Sequence, residues 1–197
     1  MFGLFFLLLL CSCGHQDKIT PNTISVPENG IYELVFPKDW TIVSRSRRDF
    51  PQDTTLPFFE AKIGDDQNSI RITLHYFPEP LANDKIKPIA QVRRWKTQFS
   101  SLDPLKDTIQ PVSFNGFQGF KFEASGIQKG EETKVIAFAL ELGAEHALTL
   151  RRTNPQSAAL ASVTIKAVGA PSLIDSHLAD IISFAKSFQL VEDLPWD

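Results

Sequence analysis

The chain has 197 residues, of which 43% are hydrophobic and 22% charged, enough apolar material for one ordinary core. A formal net charge of −3 and an isoelectric point near 5.8 argue against a nucleic-acid binder. Both cysteines fall within the first 13 residues, which leaves the body without a disulfide, a thiol nucleophile or a zinc–thiolate site.

The chain opens "MFGLFFLLLLCSCGHQDK", apolar from Phe2 to Leu10 apart from Gly3, with Asp17 as the first charge. As a helix this run rises about 14 Å, at roughly 1.5 Å per residue. A bilayer's hydrocarbon core is about 30 Å thick, so the run is too short to span it. It fits the apolar region of a secretory signal, although no Lys or Arg precedes it, a departure from the usual pattern. "LCSC" (Leu10, Cys11, Ser12, Cys13) resembles the bacterial lipobox, in which a branched apolar residue and two small residues precede the lipidated cysteine. The resemblance implies that Cys13 becomes the mature N-terminus, carrying a diacylglycerol thioether and an amide-linked acyl chain such as palmitate. Cys11 fits less well, because Leu9 and Leu10 fill positions that need small residues. Two or three acyl chains anchor far more stably than one. Gly14, in place of Asp, follows Cys13 and by analogy with inner-membrane retention signals favours the outer membrane. The expected division is a signal peptide over 1–12, a lipidated N-terminus and flexible tether over 13–30, one domain over 31–191 and a tail over 192–197.

From Ile31 the sequence becomes periodic. "IYELVFP" and "WTIVSRS", joined by "KDW", predict a strand pair with Trp40, Ile42 and Val43 inward. "PFFEAKIG" and "SIRITLHYF" predict a second pair around the turn-rich "GDDQN". In the latter strand Ile70, Ile72, Leu74 and Tyr76 share one face and Arg71, Thr73 and His75 the other. "IKPIAQVRRWKTQFS" takes helical spacing, with Ile89, Val92, Trp95 and Phe99 as its stripe and Gln91, Arg93, Arg94 and Thr97 pointing elsewhere. Gln98, near the core, is expected to satisfy buried backbone groups. "DTIQPVSF" and "FQGFKFEASG" flank Asn115-Gly116, a strong hairpin signal. "TKVIAFALELG", "HALTLRRT" and "ASVTIKAVG" predict three further strands. "PSLIDSHLADIISFAKSFQLV" predicts one amphipathic helix with Ile174, Leu178, Ile181, Ile182, Ala185 and Phe188 on its inner face and a capping start at Ser172 and Asp175. The expected class is an α/β (α+β) layered sandwich, a largely antiparallel sheet flanked by helices.

This order resembles the PsbP-like family, whose fold is shared with a Ran-release nuclear import factor. The similarity lies in "YELVFPKDW", in "VRRWKTQF" and in the ending "VTIKAVGAP…FAKSF", and covers most of residues 31–191. It implies six or seven antiparallel strands between helices, used mainly to bind other proteins or support assemblies. None of these motifs is an active-site fingerprint, and function does not follow from a shared fold.

Trp40, Trp95, Phe99 and Phe188 are read as structural core. The histidines His15, His75, His146 and His177 are too scattered for a metal site or a triad. Asp65, Asp66, Glu131 and Glu132 fall in turns, where acidic residues are solvated. No cofactor is implied. The basic residues Arg45, Arg47 and Arg48, with the pairs at 93–94 and 151–152, would touch anionic headgroups or an acidic partner if they met in space. Phe50, in a loop of turn formers, is a candidate partner-docking residue. The expectation is therefore a non-enzymatic, membrane-anchored envelope lipoprotein that binds a protein partner or supports envelope assembly. Two rivals are a carboxylate hydrolase, which requires a deep pocket with converging acids, and a carrier of a small apolar ligand, which requires a cavity between sheet and helix.

Overall fold

The structure is a computed structural model that describes residues 22–26, 32–43, 56–77, 86–153 and 162–190. In chain order its first half contains β1 (Asn22–Val26), β2 (Tyr32–Phe36), β3 (Thr41–Ile42), β4 (Phe59–Gly64), β5 (Ser69–Phe77) and α1 (Pro88–Lys96). There follow β6 (Ser101–Leu102), β7 (Thr108–Phe114), β8 (Phe117–Gln128), β9 (Glu131–Leu142) and α2 (Ala144–Thr153). The last elements are β10 (Ser162–Gly169), α3 (Pro171–Ser176), α4 (Leu178–Ser187) and β11 (Gln189–Leu190).

The main sheet runs β3-β4-β5-β10-β9-β8-β6, with β7 also paired to β8, and every pairing is antiparallel. Its long strands are β4, β5, β10, β9, β8 and β7; β3 and β6 contribute two residues each. The β7–β8 hairpin turns on Asn115 (φ 48°) and Gly116 (φ 80°), the pair of positive φ values that a tight type I′ turn demands. A Cβ on Gly116 would also lie 2.9 Å from the His146 ring, so glycine lets α2 close against this turn.

Alternation along the strands builds two apolar layers. Ile70, Ile72 and Leu74 of β5, Ile136, Phe138 and Leu140 of β9, and Val163, Ile165 and Ala167 of β10 face the helices α3 and α4. There they meet Ile174, Ile181, Phe184, Ala185 and Phe188. Phe184 lies 5.1 Å from the Trp40 ring and 5.8 Å from Phe59, and Phe188 lies 5.2 Å from Phe117. Each such side chain contributes about 1.5–3 kcal/mol on full burial. A small second sheet, β1-β2-β11, joins this core through Leu34. On the opposite face α1 lays Val92 and Trp95 onto Phe122 and Ala124 of β8 and Val135, Ala137 and Ala139 of β9. The alanines that alternate with Phe138 and Leu140 make room for the indole, which stacks 6.2 Å from Phe122.

Several elements differ from the sequence expectation. β2 and β3 are not partners: β2 pairs with β1 and β11, while β3 pairs with β4. Lys38 and Asp39 lack positive φ, so the turn carries the chain from one sheet to the other instead of closing a hairpin. Ile42 is correspondingly 44% exposed. Asn22–Val26, expected within the tether, is instead β1, in register from Asn22 opposite Phe36 to Val26 opposite Tyr32. "HALTLRRT" lies in helix α2, where Ala, Leu and Arg favour a helix and Glu145 in the first turn suits the dipole. The closing helix is two helices that meet at His177 (φ −110°, ψ 12°). Ile174 and Ile181, seven residues apart, keep one apolar stripe across the break, which is why the sequence reads as continuous. The start of α3 has Ala170 as its N-cap and Pro171 in the first turn, with no side-chain cap from Ser172 or Asp175.

Candidate functional site

The sheet face that carries α1 is dry under the helix and polar beside it. Along β5 and β10 the residues pointing to this side are Arg71, Thr73 and His75, and Ser162, Thr164 and Lys166. Thr73 sits directly opposite Lys166, and His75 opposite Thr164. Thr73, Thr164 and Ser162 are buried hydroxyls on this face, beside the apolar layer under α1.

Lys166 is the chemically distinctive member. Its Nζ donates to Gln98 Oε1 at 2.6 Å, just beyond the C-terminus of α1. Burial of the ammonium, and then the positive charges of Arg71, Arg94 and Lys129, push its pKa down to about 8. Arg71 differs because Glu60 grips it with a fork, Nε to Oε1 at 2.7 Å and Nη2 to Oε2 at 2.9 Å, and that bonding raises its pKa. Gln98 thus binds a side chain instead of the buried backbone groups expected of it. Gln91, expected to point away, is 4% exposed, and among the described residues its Nε2 has no hydrogen-bond partner. It lies with Pro88, Val92 and Trp95 on the face that α1 buries.

At the other end of α1 is an open groove of about 720 Å3. Lys87, Pro88 and Ile89 form one wall, and Pro111, Val112 and Ser113 of β7 line it together with Gly119 and Phe120 of β8. Gln118 and Glu141 add polar groups. The Lys96–Asp107 ion pair at 2.6 Å fastens α1 to the segment that enters β7. A separate charged network has a structural role. Lys134 reaches Glu123 at 2.8 Å and Asp175 at 2.7 Å, and Lys121 reaches Glu123 at 3.0 Å, tying β8 and β9 to α3. Burial raises the Glu123 pKa, but the two lysines outweigh it and hold the carboxyl below its usual range.

Trp40 (4% exposed), Trp95 (6%) and Phe188 (0%) are interior, and Phe99 packs on the layer beneath α1. His75 is half-buried on the polar face, His146 lies on α2, and His177 joins α3 to α4, 3.7 Å from Asp180. Arg93 and Arg94 are exposed on α1, and Arg152 on α2. Cys13, His15, Arg45, Arg47, Arg48 and Phe50 lie outside the described residues. Among the described residues no group of three or more His, Cys, Asp or Glu could hold a metal ion, and no helix is long and apolar enough to cross a membrane. Sequence reasoning did not single out Lys166, although the polar alternation Ser162, Thr164, Lys166 signals a strand face without an apolar cover.

An antiparallel sheet with α1 on one face and α3 and α4 on the other defines a PsbP-like α+β sandwich. Over 90% of its length the chain is similar to LpqN of Mycobacterium tuberculosis, described as involved in cell envelope biogenesis, with a TM-score of 0.51, 10% identity and 87% of LpqN covered. It is similar over 92% of its length to cyanobacterial PsbP (CyanoP) of Synechocystis, with a TM-score of 0.50, 14% identity and 99% of that chain covered. At such identities the likeness carries the fold and not the activity. No protein-family model matches the sequence, and neither does any curated protein.

Proposed function

We propose that the protein is a lipid-anchored protein of the cell envelope, acylated at Cys13, whose PsbP-like domain binds a protein partner without catalysis. The observation that carries the binding role is the groove between the start of α1 and β7. Its floor is apolar at Phe120 and Pro111, its ends are polar at Lys87, Gln118 and Glu141, and β7 is exposed along most of its length. Among the described residues the outer edge of β7 has no strand beside it, and Pro111 within it suits an edge position. An apolar floor with a polar rim is the usual anatomy of a protein-binding surface. The layer between α1 and the sheet is filled by Val92, Trp95 and Phe122, so a protein segment against the open groove is favoured over a small apolar ligand beneath the helix. The anchor is supported by "LCSC", and the envelope setting by the likeness to LpqN.

The test places a photo-crosslinking residue at Ser113 of the full chain in its native cells. The expected result is one discrete protein adduct that is lost in Pro111→Arg and Gln118→Arg, both exposed positions. An adduct pattern unchanged by those substitutions would contradict the groove as the binding surface.

A further inference from the structure

We propose that the cationic cluster of Lys166, Arg94, Arg71 and Lys129 beside α1 is a binding site for a phosphate group. The four side chains come from β10, α1, β5 and the turn between β8 and β9, so the fold and not a local run of sequence assembles them. Arg71 is the diagonal neighbour of Lys166 across the β5–β10 ladder, since Lys166 faces Thr73 and Arg71 faces Val168. Such diagonal pairs are roughly 7–8 Å apart. Arg94 lies in the last turn of α1, four residues before Gln98, which is hydrogen-bonded to Lys166. Lys129 stands in the adjoining hairpin turn at φ 54°. Arg71, Arg94 and Lys129 all act on the Lys166 ammonium through their charge.

The cluster is unbalanced. Glu60 neutralises Arg71, but among the described residues no carboxylate forms an ion pair with Lys166, Arg94 or Lys129. Three unmatched cations suit a phosphate group, which carries about −1.5 to −2 charges at pH 7 and three acceptor oxygens. A carboxylate would neutralise less than half of that charge. Lys166 gives one of its three N–H donors to Gln98 and keeps two, and Arg94 offers a planar fork. The C-terminal end of α1 opposes an anion by only about half a charge, which the cations exceed. Beneath them Thr73 and Thr164 make the floor polar and not hydrocarbon. Burial first, and then the like charge of the cluster, depress the Lys166 pKa, and a bound phosphate would oppose the second of these. The site is independent of the lipid anchor and of the groove, so it can fail without them.

The test measures how fast an amine-specific reagent modifies Lys166 in the full chain across pH 6.5 to 10, at constant ionic strength. The additives are inorganic phosphate, vesicles of phosphatidylglycerol in phosphatidylcholine, or phosphatidylcholine vesicles alone. The expected result is that phosphate slows modification and moves its midpoint above pH 8. Arg94→Gln and Lys129→Gln, both at exposed positions, should each weaken this protection about tenfold, as loss of a charge-assisted bond does. Protection by phosphatidylglycerol vesicles without protection by inorganic phosphate would identify a lipid headgroup as the source and still support the site. Equal protection by phosphatidylcholine alone, no protection by either anionic additive, or full protection in the Arg94→Gln/Lys129→Gln double variant would overturn it.

Discussion

Lys166 makes stability depend on pH in a direction opposite to that of most paired groups. In the unfolded chain it titrates near its ordinary value of 10.5, and in the folded protein at about 8. Below pH 8 both states carry the ammonium, and the folded state bears the whole penalty of burial and like charge. Between pH 8 and 10.5 the folded protein sheds the proton first, so the unfolded state binds more protons and stability rises with pH. Above 10.5 the penalty is gone. At about 1.4 kcal/mol for each pH unit, the interval corresponds to roughly 3 kcal/mol, which partial exposure of the ammonium reduces to about 2 kcal/mol. Lys166→Met keeps the apolar stem and removes the charge. Urea unfolding of wild type and Lys166→Met, followed by tryptophan fluorescence at pH 7, 8, 9 and 10, isolates the effect because other titrating groups cancel in the difference. The stability of the variant relative to wild type should fall by about 2 kcal/mol from pH 7 to 10. A difference that stays constant across that range would mean that Lys166 titrates alike in the folded and unfolded states.

Three further outcomes follow from side chains already placed. Gln91→Met removes a buried amide nitrogen that has no partner among the described residues and should stabilise the protein by about 1 kcal/mol in the same urea assay, whereas a loss would mean that the amide is satisfied in solution. Gly116→Ala should destabilise by more than about 1 kcal/mol, because its φ is +80° and its Cβ would press on the His146 ring. His146→Ala should recover only the part of that loss due to the ring, measurable as a double-mutant cycle. Glu123, with its pKa depressed by Lys134 and Lys121, contributes stability above pH 4.5 that is lost as pH falls through its folded value. The deficit of Glu123→Gln relative to wild type should therefore shrink in acid, and a deficit that persists there would assign Glu123 a role other than ion pairing.

Most of the sheet was legible because its strands alternate strictly. Ile70, Ile72, Leu74 and Tyr76 declared their face, and Asn115-Gly116 declared its turn. In the first strands the reason for the difference is that local alternation does not fix which strands pair. β2 and β3 look like a hairpin because both alternate, yet β2 pairs with β1 and β11 and β3 with β4. Ala144–Thr153 alternates over a few residues but is helical, so its propensity outweighed the apparent period. The candidate surfaces were less legible still. The groove pairs Lys87 with Glu141, and the cationic cluster pairs Arg94 with Lys166, residues that only the folded sheet brings together. The polar alternation in "SVTIK" announced an unusual strand face, but nothing in it named Gln98 as the partner of Lys166.

The proposed function requires that a binding domain be held at an envelope membrane through Cys13. Intact mass of the protein extracted from its native membranes, beside a Cys13→Ala variant, tests this most directly. Wild type should begin at Cys13 and carry the mass of two or three acyl chains, and the variant should be neither cleaved after Ser12 nor acylated. Wild type and variant that both retain residues 1–12 and carry no lipid would contradict the proposed function.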